Sequence, residues 1–136
     1  MAEVRGTWKG NMAFDLGIEM ATIPSDADPQ FGGKGYGPRP KALMLTALAG
    51  CTGMDVVSIL GKMKVEFDAF DIRIKAEAAD QHPKIYRKVH IDYRFRGKDL
   101  PMDKLERAVN LSLDQYCAVA ATIKQTAELS YEIFVD

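Results

Sequence analysis

The chain has 136 residues, 47% of them apolar and 27% charged, and its 18 Lys and Arg against 19 Asp and Glu leave a net charge of −1. That length suits one domain over residues 1–136, and the composition is that of a folded chain, so extensive disorder is excluded. With no basic block, nucleic acid is excluded as the main partner. Two cysteines, Cys51 and Cys117, are too few for a disulfide scaffold and too far apart in sequence for the ligand spacing of a structural zinc site, so no metal is expected.

The N-terminal stretch Met1–Gly10 lacks the apolar run of a secretory signal, which makes the cytoplasm the expected location. Val4 to Lys9 reads as a strand. It pairs through Gly10-Asn11 with a second strand, in which Met12, Phe14, Leu16, Ile18 and Met20 alternate with small or polar residues. From Ile23 to Pro40 the chain is rich in Gly and Pro and has no period, so it reads as a long loop. Its glycines suit a mobile flap, with Phe31 and Tyr36 as apolar walls.

A helix starts at Pro40, where the missing proline N–H costs nothing, and runs to about Lys64. It is apolar nearly all round, and Asp55 is the only charge between Ala42 and Leu60. Gly50, Gly53, Thr46, Thr52 and Ser58 within that stretch argue against a membrane span and for a buried helix. Two alternating runs follow, Phe70 to Ala78 and Lys88 to Arg96, joined by the turn Asp80–Lys84 as an antiparallel hairpin. His82 falls in that turn and His90 on the polar face of the second run; both read as plain exposed histidines. After Pro101 an amphipathic helix places Leu105, Val109, Leu113 and Tyr116 on one face and continues through Ala120 and Ile123, with Cys117 near its midpoint or at a break. Leu129 to Val135 forms the last strand. The class is α+β. One sheet covers only one side of so apolar a helix, which argues for a dimer enclosing two copies of it between sheets.

Cys51 sits in Ala49-Gly50-Cys51-Thr52-Gly53, whose small residues let another group approach the sulfur. Each cysteine taken singly is as readily a small buried hydrophobe as a nucleophile. Asp55, four residues after Cys51, shares its helix face and suits capping or pairing with a cation.

The stretch from Pro40 to Val57, with Gly50-Cys51-Thr52-Gly53 at its centre, resembles the first-cysteine helix of the OsmC/Ohr family, the osmotically inducible and organic-hydroperoxide-resistance proteins. Tyr116-Cys117-Ala118-Val119 stands where the family usually has Cys-Pro-Val, and the order of strands and helices matches throughout. The resemblance implies an OsmC-like fold, with antiparallel sheets enclosing long central helices in an intertwined homodimer. It implies a thiol-dependent peroxidase that reduces organic hydroperoxides in oxidative stress defence, with Cys51 attacking, Cys117 resolving, an external dithiol as reductant and no cofactor. Phe31, Tyr36 and Met54 would then contact substrate.

The pattern departs from the family at two points. Lys41 and Ala42 stand where the family glutamate would be, and Asn11-Met12-Ala13-Phe14 lacks the usual arginine. Arg39 or Lys41 would supply a cation instead, Lys41 only to the partner's site, because ten helical residues put it about 15 Å from its own Cys51. The rival expectation is a non-catalytic OsmC-like protein that binds a small apolar or thiol-reactive ligand at the dimer interface.

Overall fold

A tight reversal at Gly10 and Asn11, both at positive φ (100° and 49°), sets the first sheet. It joins strand β1 (Val4–Trp8) to β2 (Phe14–Ile18), pairing Trp8 with Phe14 and Val4 with Ile18 as the alternation requires. The computed structural model describes all 136 residues. They divide into two compact units, Met1–Thr46 and Ala47–Asp136, with helix α1 (Pro40–Lys62) beginning in the first and continuing in the second.

In the first unit the predicted loop begins too early. Ile23, Pro24 and Ser25 belong to a third strand, β3 (Ala21–Ser25), antiparallel to β2. The proline hid it. With the order β1-β2-β3 this strand is an edge, where a residue lacking an N–H is tolerated. The loop after it is tied down, which corrects the expectation of a mobile flap. The Asp26 carboxylate accepts N–H bonds from Ala27 (2.8 Å), Lys34 (2.9 Å) and Tyr36 (3.0 Å), and the Ser25 hydroxyl donates to the Pro38 carbonyl (2.8 Å). At Gly33 and Gly37 a side chain would collide with the backbone of Ala27 and Pro24, so these glycines serve close folding of the loop on itself.

The second unit holds the rest of α1, the hairpin β4 (Ala69–Ala78) and β5 (Tyr86–Arg96), helix α2 (Met102–Leu111), a wide π-type turn at Ser112–Tyr116, helix α3 (Ala118–Ile123) and strand β6 (Glu128–Val135). Its sheet has the order β4-β5-β6. The α+β class is as expected, but this sheet is mixed: β6 runs parallel to β5, because the chain crosses over through α2 and α3 before returning. Val89, Ile91, Tyr93 and Phe95 of β5 face the core and are buried, and Phe95 stacks on its cross-strand partner Phe70 with ring centroids 4.4 Å apart.

Leu48, Thr52, Val56 and Leu60 form the only buried stripe of α1, one residue per turn. Much of the remaining apolar surface is open, with Met54 75% and Val57 47% exposed. By length and composition this helix could span a membrane. Its buried stripe is nevertheless engaged by protein, since Thr52 bonds to both β5 and the π-turn.

The N–H groups of Lys34 and Tyr36, bonded to the ionised form, hold the Asp26 carboxyl below its ordinary value. A group lowered by folding stabilises the fold above its unfolded pKa, and that contribution is lost as pH falls through the folded value. Asp26→Asn is expected to lower the melting temperature at neutral pH and to speed amide hydrogen exchange at Lys34 and Tyr36. The difference from wild type should vanish in strong acid; an equal deficit at every pH would contradict the assignment.

Candidate functional site

Cys51 lies mid-helix on α1 and is half-buried, whereas Cys117 is buried at the junction of the π-turn with α3. The turn closes with a 2.7 Å bond from the Cys117 N–H to the Ser112 carbonyl, five residues back. Cys117 then adopts an extended conformation and caps α3, its sulfur accepting the Ala120 N–H at 3.4 Å. It fills the position usually held by Ser or Asp. The wide turn also breaks the helical period, so Tyr116 is 61% exposed rather than on the buried face with Leu105, Val109 and Leu113.

The fold brings the two sulfurs together. Cys51 Sγ, Cys117 Sγ and a carboxylate oxygen of Asp55 all lie within 4.8 Å of one another. Asp55 pairs with no cation, contrary to one expectation. Its Oδ2 accepts the Ser112 hydroxyl at 3.0 Å, and Ser112 Oγ lies 2.8 Å from Thr52 Oγ1, itself 2.8 Å from the Tyr93 hydroxyl. This chain of hydroxyls links β5, α1 and the π-turn, and Thr52, Tyr93 and Ser112 are completely buried. The sequence offered one hint of it, a polar Thr52 on the buried stripe of an apolar helix.

Burial, and next the neighbouring Cys51 thiol, push the Cys117 thiol up to about 11; the Ala120 N–H acts in the opposite direction. At neutral pH Cys117 is therefore a protonated thiol. Burial likewise raises the Tyr93 phenol, which stays neutral and free to hydrogen-bond.

A groove of about 600 Å³ runs between α1 and β4, with Gly50, Gly53, Met54 and Val57 on one wall and Phe70 and Ile72 on the other; neither cysteine lines it. A Cβ on Gly53 would stand 3.0 Å from Ile72 Cδ1, so this glycine lets the helix approach the sheet. Gly50 borders open space. Of the other expected residues, Met54 lines this groove, while Phe31, Tyr36, Arg39 and Lys41 belong to the first unit. There Phe31 is exposed, the Tyr36 hydroxyl bonds to Asp15, and the Arg39 guanidinium is held by Asp28 at 3.1 Å.

On the opposite face of the second sheet His90 is no plain exposed histidine. Its Nδ1 lies 2.7 Å from Ser130 Oγ and its Nε2 3.0 Å from the buried Asp92. His82 is exposed, as expected.

The family model for OsmC-like proteins matches residues 32–132. The chain belongs to the OsmC family. Within curated OsmC relatives, protein YhfA of Escherichia coli strain K12 is 31% identical over 98 residues, which is 71% of this chain and 73% of YhfA. A crystal structure of an Aquifex aeolicus VF5 protein superposes on 100% of the chain and 98% of its own, with a TM-score of 0.85 and 29% identity. The fold extends to an organic hydroperoxide resistance protein OsmC of Legionella pneumophila, with a TM-score of 0.72 at 12% identity over 99% of this chain and 97% of that one.

Two consequences of this OsmC site are measurable. Thr52→Val removes the shared partner of two buried hydroxyls, and about 1–3 kcal/mol of stability should be lost in denaturant unfolding; adding Tyr93→Phe should recover part of it. In Cys51→Ser, burial alone should still keep alkylation of Cys117 by iodoacetamide slow at neutral pH and rising through the alkaline range. A rate that levels off below about pH 9 would show an ordinary thiol.

Proposed function

We propose that this OsmC protein is a thiol-dependent peroxidase that reduces organic hydroperoxides through Cys51 and Cys117. The observation that carries the reading is the convergence of two sulfurs far apart in sequence, one buried and one half-buried, the latter on a helix that also walls an apolar groove. Membership of a family that includes proteins named for organic hydroperoxide resistance supports it.

Cys51, the more accessible sulfur, attacks as thiolate. It takes the distal peroxide oxygen, the O–O bond breaks, and the alkoxide leaves as the alcohol after gaining a proton. Cys51 is then a sulfenic acid. Cys117 loses its proton to a base and attacks the Cys51 sulfur, expelling water and forming the disulfide; the Asp55 carboxylate is the base nearest to hand. An external dithiol returns both thiols by exchange. Burial suits Cys117 to this role, because a protonated resolving thiol does not itself compete for peroxide.

The uncovered apolar surface of α1 supports a homodimer, with Met44, Met54 and Val57 at its interface; its proposed location is the cytoplasm. Phe31, Tyr36 and Met54 are the proposed substrate contacts, and Arg39 or Lys41 the cation at the site. Lys41 would act on the partner's site. The apolar groove also favours a second reading, a binding protein for a small apolar ligand without turnover.

Reduced protein mixed with cumene hydroperoxide and excess dithiothreitol should consume peroxide many times faster than a free-thiol control, and Cys51→Ser should abolish this. Cys117→Ser should accumulate sulfenic or over-oxidised Cys51, visible in the intact mass. Peroxide loss no faster than the control overturns the enzyme and leaves the binding protein.

A further inference from the structure

The same site carries a donor set that the peroxidase reading does not exhaust. The geometry points to a binding site for a thiophilic divalent cation of the Zn²⁺ class, held by Cys51 Sγ, Cys117 Sγ and a carboxylate oxygen of Asp55. This inference rests on the reading of Cys51 and Cys117 as a redox thiol pair and adds a means of regulating it.

Two thiols and a carboxylate are the ligand types that zinc prefers, and all three donor atoms already lie within 4.8 Å of one another. Zn–S bonds of about 2.3 Å in a tetrahedral arrangement place two sulfurs roughly 3.7 Å apart, so only small side-chain adjustments separate these donors from a coordination shell. The surroundings orient them. The Ser112 hydroxyl holds Asp55 through Oδ2, and the Ala120 N–H fixes the Cys117 sulfur. Such outer contacts are what hold ligands in place for a metal. Spacing in sequence concealed the set, because Cys51 and Asp55 come from one helix and Cys117 from the end of a turn that the sheet crossover brings back beside it.

Zn²⁺ takes both sulfurs as thiolates, so any thiol proton on them is released to solvent on binding, and Asp55 coordinates through a carboxylate oxygen. A bound cation occupies the sulfur lone pairs that disulfide formation requires. Cation binding and the Cys51–Cys117 disulfide are therefore mutually exclusive, and the cation would protect the pair from oxidation until it leaves.

Full-length, chelator-stripped, reduced protein is titrated with Zn²⁺ against a chromophoric chelator, and with Co²⁺ as a spectroscopic probe. One equivalent per chain should bind, Co²⁺ should give sulfur-to-cobalt charge transfer in the near ultraviolet, and Zn²⁺ should protect both thiols of the wild type from iodoacetamide. Protein oxidised to the disulfide should bind none. Asp55→Asn, which preserves the shape of the side chain, should weaken binding at least tenfold while both thiols still titrate. Wild-type binding no tighter than in Cys51→Ser/Cys117→Ser overturns the site, and so does an Asp55→Asn affinity equal to wild type, which would reduce it to a bare dithiol. No peroxide enters these measurements. Zn²⁺ binding without peroxide turnover sinks only the peroxidase, and turnover without Zn²⁺ binding sinks only the cation site.

Discussion

The second unit depends on a polar constraint inside an apolar core. Thr52 sits on the buried stripe of α1, and its hydroxyl has no access to water, so it must find partners within the protein. It finds Tyr93 on β5 and Ser112 on the π-turn. Apolar contacts alone would let a helix slide or rotate on a sheet at small cost, because dispersion and burial have no direction. Two hydroxyl bonds from one side chain give α1 a fixed register against two other elements, and every buried side-chain polar atom is satisfied. Cys51 precedes Thr52 by one residue, so fixing the threonine also fixes the sulfur.

The same chain of hydroxyls sets the chemistry. It ends on Asp55, which holds a carboxylate close to two sulfurs without neutralising it by a cation. Burial keeps Cys117 protonated while Cys51 remains partly exposed, so two residues of one type acquire different accessibility from their surroundings alone. An OsmC protein lacking the glutamate and arginine expected at the usual positions still assembles a polar, acid-bearing thiol site. It does so with Asp55, Ser112 and Thr52, residues of the helix itself and of the turn it packs against.

The first unit solves a different problem. Its long Gly- and Pro-rich segment is ordered by one carboxylate, Asp26, which gathers three backbone N–H groups that no strand or helix satisfies. A carboxylate accepts several bonds at once, and its charge strengthens each of them. Glycine at positions 33 and 37 then permits backbone to lie against backbone, where its value is the absent side chain rather than mobility.

Much of this was legible in the order of residues. Alternation located β2, β4, β5 and β6, Gly10-Asn11 marked the first hairpin and so β1, Pro40 marked the start of α1, and the two cysteine motifs pointed to the family. These signals are local, set by sterics and periodicity within a few residues. Pro24 concealed β3 because a proline is acceptable only at an edge, and which strand is the edge is a property of the whole sheet. The π-turn concealed the outward swing of Tyr116, because one extra residue per turn leaves no compositional mark. The parallel pairing of β6, the meeting of Cys51, Asp55 and Cys117, and the hydroxyl chain behind them rest on contacts between residues distant in sequence. Residue types alone determined which elements form and which atoms could react. Only the packing of α1, the crossover and the sheet decided which of those atoms meet, since proximity across tens of residues is set by the shape of the core.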